Sequence, residues 1–502
     1  IELQPISKSQ VEDTFTQELN TWRTSFSSDM SDQAFDDLIN QFLIFLASAI
    51  HRLPGPKHPA ARYYEARRKK RELNNQQTYK SSSNPQRATK RDRLKRKNIY
   101  QYQLAQFQFY NQRRKAIRQV FQNDTTSCSI DKDSLHDYFS NIFSTPNYST
   151  RLEYPSKIHP EEIVTNNDLF NCHITKDEII EATKKIAVDT ASGPDHVLVR
   201  VIKHPLASEI LSLIASRMLK TGFVPSKFHN ARTILIHKGG DHDMLHNWRP
   251  ITICSVLRRV IERTLVKRLY EYVTLNANQR GFIHSPGTHL NTSLLELILQ
   301  SAKNNQSDVS IVFLDVQKAF DNIGHSHLRQ TLNSTGVPAN LSTLIMNLQE
   351  HNITQVETHQ GKTKPININR GVLQGSPLSP ILFNIATNHI LDELSEDSIT
   401  KEYGYELLQP HSKLTVMSFA DDTVLIGKNI DCATELTRMA LHRYQEIGLC
   451  INPSKSVVLS IKKGKFSTNS MTISDDYKIN SHVQGDLIRY LGVDFLDQLG
   501  LD

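Results

Sequence analysis

Two short apolar runs joined by a pair of aspartates constrain this chain more than any other feature. LTVMSFADDTVLIG (414–427) sets β-rich residues on both sides of Asp421 and Asp422. That pattern predicts a β-hairpin with the two carboxylates at or beside its turn. Adjacent carboxylates repel at neutral pH and gain little in a simple hairpin unless a cation or base joins them. A third carboxylate has a comparable setting. SIVFLDV (310–316) reads as a buried strand that delivers Asp315 at its C-terminal end. A strand of that kind also fits a Walker B element. The only GK[ST] is Gly361-Lys362-Thr363, however, and Val356 stands where a P-loop needs its first glycine, so that reading fails.

On neighbouring strands, Asp315 and Asp421 would clamp hard divalent ions, which take carboxylates together with substrate phosphates. Two such ions stabilise the attacking and leaving oxygens of an in-line phosphoryl displacement. One would activate a primer 3′-hydroxyl and the other would hold a nucleoside triphosphate, which is polymerase chemistry. A third segment fits beside them. In RGVLQGSPLSP (370–380), Gly371, Gly375, Pro377 and Pro380 impose a shaped loop that lets backbone approach a base or sugar closely, and Gln374 supplies an amide.

Charge locates a second feature. Of the formal +7 of the 502 residues, the stretch from Arg62 to Arg118 carries +15, with 18 Lys and Arg against 3 Asp and Glu, and all other residues together carry −8. Such a block fits a polyanion partner, and equally a solvated linker or a nuclear import signal. Its densest parts are RRKKR (67–71) and KRDRLKRK (90–97). An amphipathic helix is expected before it over 32–53, and a second over about 98–121, where Arg113, Arg114 and Lys115 extend the positive surface. Residues 122–170 are polar and read as a boundary. Thr175-x-x-Glu178 is a capping box, and 431–447 is a helix with Ala433, Leu436, Ala440, Tyr444 and Ile447 on one stripe. Helices alternating with short strands give a mixed α+β body. Cys128, Cys172, Cys254, Cys432 and Cys450 are scattered with no C-x-x-C pair, which argues against a disulfide framework or zinc knuckle. No apolar run approaches the length of a membrane span.

In order along the chain, these residues resemble the motif series of reverse transcriptases. TILIHKGGDHDMLHNWRPITICSVLRRVIERTLVKRL (233–269) and NQRGFIHSPGTHLN (278–291) are similar to the two fingers motifs. FLDVQKAFD (313–321), RGVLQGSPLSPILFN (370–384), FADD (419–422), GLCINPSKS (448–456) and YLGVDF (490–495) are similar to motifs A to E, the last being the primer grip. NWRPIT and QRGF resemble the non-LTR, LINE-type enzymes of retrotransposons, in particular the branch that inserts into ribosomal DNA. Group II intron enzymes share the architecture, but their usual YADD and QGG differ here at Phe419 and Ser376.

The resemblance implies a right-hand polymerase of fingers and palm, with an antiparallel palm sheet backed by helices. A mainly helical basic extension precedes it, and the thumb is largely absent. The implied segments are an N-terminal helical region (1–60), an RNA-binding extension (61–122), a linker (123–170), fingers (171–305) and palm with primer grip (306–502). The implied activity is RNA-templated addition of deoxynucleotides to a primer 3′-end in target-primed reverse transcription. It would occur in the nucleus after ribonucleoprotein assembly in the cytoplasm. Partners would be template RNA, DNA primer or target DNA and deoxynucleoside triphosphates, with no membrane. Asp315, Asp421 and Asp422 would be the catalytic carboxylates, holding two Mg²⁺ (or Mn²⁺) with the carbonyl of Val316. Lys455 matches a general acid for the leaving pyrophosphate, and Arg249 and Lys238 match the residues that hold the triphosphate. Phe320 matches the steric gate against a ribose 2′-hydroxyl, and Gln374 and Gly375 the nucleotide and template contact. RNA contacts are expected from Arg67, Arg68, Lys69, Lys70, Arg71, Lys90, Arg91, Arg93, Lys95, Arg96, Lys97, Arg113, Arg114 and Lys115. A group II-type maturase, or a non-catalytic RNA-binding scaffold with a polymerase fold, stays open as an alternative.

Overall fold

The computed structural model describes residues 8–27, 30–49, 128–145, 173–188, 190–283, 286–407, 413–468, 470–474, 477–482 and 488–495. The chain divides into two compact units, Ile1–Ile50 with Ile130–Asp502, and His51–Ser129. All described helices and strands belong to the first. The helix expected over 98–121 lies outside the described residues.

Sixteen strands follow in order: β1 (Asn230–His237), β2 (Trp248–Cys254), β3 (Val309–Leu314), β4 (Asn352–Thr358), β5 (Gly361–Lys362), β6 (Ile366–Ile368), β7 (Tyr405–Glu406), β8 (Lys413–Leu414), β9 (Val416–Phe419), β10 (Asp422–Gly427), β11 (Val457–Lys462), β12 (Lys465–Ser467), β13 (Met471–Ser474), β14 (Tyr477–Ser481), β15 (Ile488–Tyr490) and β16 (Val493–Phe495). Among the described residues they form two main sheets and the small pairs β7–β8 and β15–β16.

The larger sheet runs β13-β14-β11-β3-β10-β9, with β12 added on β11. At its centre β3 pairs antiparallel with β10 on one side and β11 on the other. A central strand covered on both faces must be apolar along its whole length, which is why VSIVFL reads as a continuous run rather than an alternation. Val309 and Ile311 of β3 join Val424 and Ile426 of β10 and Leu459 and Ile461 of β11 in one core. Leu295, Ile298, Leu299 and Ala302 of the helix Gly287–Asn304 complete it. The helix Ile430–Glu446 packs on β10 and β3, and its Tyr444 hydroxyl meets Thr423 Oγ1 at 2.9 Å. It buries the expected stripe of Ala433, Leu436, Ala440 and Tyr444. Asn429 caps its start by accepting the Cys432 N–H, and Gly448 (φ +79°) follows its end.

The second sheet runs β2-β1-β4-β5, with β6 added on β4. β1 pairs antiparallel with β2 and parallel with β4. Thus β4 to β6, drawn from 352–368, complete a sheet begun at 230–254, and the division expected at 305/306 does not separate the two sheets.

Buried charge ties this sheet to its neighbours. On the helix Val256–Tyr272, Arg258 donates to Glu262 Oε1 at 2.7 Å, to Asn352 Oδ1 at 2.6 Å and to the carbonyls of Phe228 and Leu348 at 2.7 and 2.6 Å. Glu262 Oε2 accepts the Ser376 hydroxyl at 2.8 Å. Both charged side chains are fully buried, a placement tolerated because the charges are paired and their neighbours are hydrogen-bonded to them.

The helices Lys8–Ser25 and Asp32–Ser48 pair through Trp22, Phe42 and Phe45. Arg217 of the helix Pro205–Thr221 lies over the Phe35 ring and donates to Asp32 Oδ1 at 2.9 Å. The expected capping box at Thr175 and Glu178 is present. Residues 123–170 are not linker throughout. Lys132–Phe143 is a helix that buries Leu135, Phe139, Ile142 and Phe143, and Arg370 donates to the carbonyls at its C-terminal end. No described helix is long and apolar enough to cross a membrane.

Candidate active site

The FADD turn is a two-residue hairpin loop. Asp422 pairs with Phe419, which leaves Ala420 and Asp421 as the central residues. Ala420 has φ +57°, a left-handed conformation more usual for glycine at that position. The β3–β10 pairing ends with Thr423 opposite Leu314, which puts Asp422 and Asp315 one step further along facing chains. Asp315 is fixed by its main chain. Its N–H donates to Ser456 Oγ at 3.2 Å, and its carbonyl accepts the Asn452 N–H at 2.8 Å. Gln317 N–H donates to the Cys450 carbonyl at 2.8 Å, so Val316 between them is held against the 448–456 loop. Lys455, exposed on that loop, is thereby brought to the same end of the sheet.

The electrostatics follow from this convergence. Burial pushes the Asp421 carboxyl up and Asp315 adds to the shift, while Arg249 opposes it. Asp422 is pushed up to about 6 by the protein packed round it and by the charges of Asp421 and Asp315. Since Asp422 itself stands at the surface, the two carboxylates are the part of that cause the geometry supports. Asp421 and Asp422, raised in part by neighbouring carboxylates, form with Asp315 a donor set short of positive charge, and hard divalent cations suit it. Among the described residues no group of three or more His, Cys, Asp or Glu is already drawn together tightly enough to hold an ion.

The cations come from the β1–β2 hairpin and from the 448–456 loop. Lys238 follows β1, its N–H donating to the Asn247 carbonyl at 2.8 Å, and exposed Arg249 lies on β2. Burial lowers Lys238, with Arg249, Lys455 and Lys318 adding to the effect and Asp321 opposing it. These groups therefore share one field.

Phe320 lies parallel to Phe383, ring centroids 4.8 Å apart, and Phe282 meets it edge-on at 6.3 Å. The ring is held by the buried helix Ser379–Glu396 rather than free. The Gln374 carbonyl accepts the Thr252 N–H at 2.7 Å. Gly375 (φ +126°) passes so close to β2 that a Cβ would lie 2.4 Å from the Thr252 carbonyl oxygen. The structure thus brings together Asp315, Val316, Asp421, Asp422, Lys238, Arg249, Phe320, Gln374, Gly375 and Lys455 around the ends of β3, β9 and β10. The fourteen expected RNA contacts from Arg67 to Lys115 lie outside the described residues.

Sequence reasoning overlooked the residues that hold the turn. Gln279, buried, runs beside Ser418 in a parallel bridge. Its Oε1 accepts the N–H groups of Ala420 at 2.8 Å and Gly281 at 2.9 Å. Its Nε2 donates to Ser418 Oγ at 3.1 Å and the Ala420 carbonyl at 3.3 Å. Asn291 donates to the Ser418 carbonyl and to the Tyr490 hydroxyl, both at 3.2 Å, and accepts from Arg280 at 2.7 Å. The available signal was QRGF itself, four residues with no other evident task.

A reverse transcriptase (RNA-dependent DNA polymerase) family profile matches residues 236–495. A retrovirus-related Pol polyprotein from the type-1 retrotransposable element R2 of Popillia japonica is 37% identical over 246 residues, covering 48% of this chain and 34% of the relative. The corresponding R2 polyprotein of Nasonia vitripennis is 31% identical over 329 residues, covering 64% and 31%. The chain therefore spans about a third of the length of the curated relatives it matches. A solved apo telomerase of Candida tropicalis is similar at 15% identity and TM-score 0.36, covering 55% of this chain and 64% of the other.

Proposed function

The chain belongs to the reverse transcriptase family, and from that premise we propose that it copies an RNA template by adding deoxynucleotides to a primer 3′-end. The observation that carries this reading is the meeting of Asp315, Asp421 and Asp422 at one sheet end, faced by Arg249 and Lys238. Three carboxylates with cations opposite suit a triphosphate and a hydroxyl in line, the arrangement phosphoryl transfer needs.

Reverse transcriptases generally use divalent metal ions. Asp315, Asp421, Asp422 and the Val316 carbonyl would hold them, two Mg²⁺ or Mn²⁺, which supply charge neutralisation and a more acidic primer hydroxyl. The chain's own groups do the rest. Arg249 and Lys238 bind the triphosphate oxygens, the guanidinium as a fixed fork. Phe320 excludes a 2′-hydroxyl, its ring kept flat by Phe383. Gln374 and Gly375 contact nucleotide and template. The primer hydroxyl gives its proton to solvent and its oxygen forms a bond to the α-phosphorus as the bond to pyrophosphate breaks, and Lys455 gives a proton to the leaving group.

The similarity to R2 polyproteins favours target-primed reverse transcription within a non-LTR element. In this reading the residues of the basic stretch hold template RNA, the primer is target DNA, and the nucleus is the site of action after cytoplasmic assembly with RNA. Primer extension on an RNA template tests the core of the proposal. Asp421→Asn should reduce it by at least about 10³-fold, and Phe320→Ala should admit ribonucleotides. Undiminished extension by Asp421→Asn would remove the carboxylate assignment.

A further inference from the structure

Asp321 is a buried carboxylate at the site that the proposed chemistry leaves unused. It lies six residues after Asp315, on the short helix Ala319–Asn322, with its N–H donating to the Lys318 carbonyl at 2.9 Å. Its Oδ1 accepts a hydrogen bond from Gln374 Nε2 at 2.8 Å. Gln374 is thus held twice, by its carbonyl on β2 of one sheet and by its side chain on the turn that follows β3 of the other.

We propose that Asp321 is a positioning residue that fixes the Gln374 amide with its NH₂ turned into the protein, so that the carbonyl oxygen is the group offered to the incoming nucleotide. The inference rests on the reading of Gln374 as a nucleotide contact. Its physical basis is that an ionised carboxylate only accepts hydrogen bonds. Rotating the amide by half a turn would set oxygen against oxygen in a buried place, which is unfavourable enough to exclude the other orientation. The positive charges of Lys318, Lys238 and Arg370 act on Asp321 and favour its ionised form against the effect of burial. An oriented carbonyl selects a donor on the nucleotide, such as a sugar hydroxyl, where a freely rotating amide would select nothing.

The test is single-nucleotide extension by the full chain, with kcat and KM for the deoxynucleotide measured separately in Q374A, D321L, D321N and the D321L/Q374A double variant. D321L should raise KM about 10-fold with kcat within about 3-fold, and the double variant should be no worse than Q374A alone. D321N can accept from Nε2 or, flipped, donate to the Gln374 amide oxygen, so it no longer fixes the orientation, and its KM should rise toward that of D321L. Should D321L not fold, D321S removes the same bond with a smaller side chain and carries the same expectation. A raised KM in Q374A with an unchanged KM in D321L or D321S, or fully additive effects, overturns the proposal. An unchanged KM in Q374A overturns the nucleotide-contact reading beneath it and the proposal together.

Discussion

The side chain of Gln279 holds Ala420 from both sides. One amide group accepts the Ala420 N–H at 2.8 Å and donates to the Ala420 carbonyl at 3.3 Å, as a neighbouring strand would. Ala420 sits in a left-handed conformation that costs a non-glycine residue on the order of 1 kcal/mol, and Asp421 follows it directly. The strain is kept in place by a residue 141 positions away.

Gln279→Ala should therefore loosen the turn that presents Asp421 and Asp422. The Ala420 N–H loses its partner in a buried place, which costs about 1–3 kcal/mol, while the carbonyl keeps the bond from Ser418 Oγ at 3.0 Å. RNA-templated extension should fall on the order of 100-fold through kcat, since misplacement of reacting groups by an ångström has effects of that size. Steady-state kinetics beside urea denaturation checks both numbers. A variant that loses stability while keeping kcat would show the turn to be rigid without Gln279.

Gly281→Ala tests the same joint from the backbone side. A Cβ there would lie 2.2 Å from the Ala420 nitrogen and 2.8 Å from the Phe419 carbonyl carbon. Backbone cannot step aside as a side chain does, so the hairpin must shift. We expect a loss of about 1–3 kcal/mol or more. Extension activity should drop while the helical circular dichroism signal of the folded chain persists. Parent-like activity would mean that the QRGF segment moves away without cost.

Ser376→Gly should destabilise the protein without touching substrate. Glu262 Oε2 accepts the Ser376 hydroxyl at 2.8 Å, and Glu262 is fully buried. Removing the donor leaves one oxygen of a buried carboxylate short of a partner, at about 1–3 kcal/mol. Denaturant titration reads the loss directly, and Ser376→Thr, which keeps a hydroxyl, should restore part of it. An unchanged midpoint for Ser376→Gly would show that water takes the place of the hydroxyl.

Asp321 gives a pH signature. Burial pushes its carboxyl up to about 6, with Lys318, Lys238 and Arg370 opposing. A carboxyl raised above its unfolded value of about 4 binds its proton more tightly in the folded chain. Its contribution to stability is full below pH 4 and is lost as pH rises through 6. Asp321→Asn, unable to titrate, should remove that part of the slope, on the order of 1–3 kcal/mol between the two limits. Melting without divalent ions from pH 4.5 to 7 compares parent and variant. Parallel curves would contradict the assignment.

Much of the catalytic frame is legible in the sequence because it is local. The run at 309–314, the hairpin round Asp421 and the stripe from Ala433 to Tyr444 declare themselves by periodicity within a few residues. The helix Lys132–Phe143 left a signal too, in Leu135, Phe139, Ile142 and Phe143. Ser, Asn and Asp around those positions hid it. The capping box at Thr175 needed only two residues at the right spacing. What the sequence conceals is pairing at a distance. Nothing near Gln279 says that its amide will meet Ala420. Nothing near β4 says that it will lie parallel to β1 rather than join β3. The hydroxyl bond between Glu262 and Ser376 is invisible for the same reason.

That interleaving of the two sheets bears on how the chain is made. Thr233 on β1 meets Thr354 on β4 across 121 residues, and the strand that carries Asp315 to its place is synthesised between them. A ribosome that has released β1 and β2 has released half a sheet, with the edge facing β4 still unpaired. Closing so long a loop is slow, because chain entropy is lost before any contact rewards it. The three aspartates thus meet only once β9 and β10 have followed β3 from the ribosome and the larger sheet can close, well after the strand that carries Asp315 has emerged.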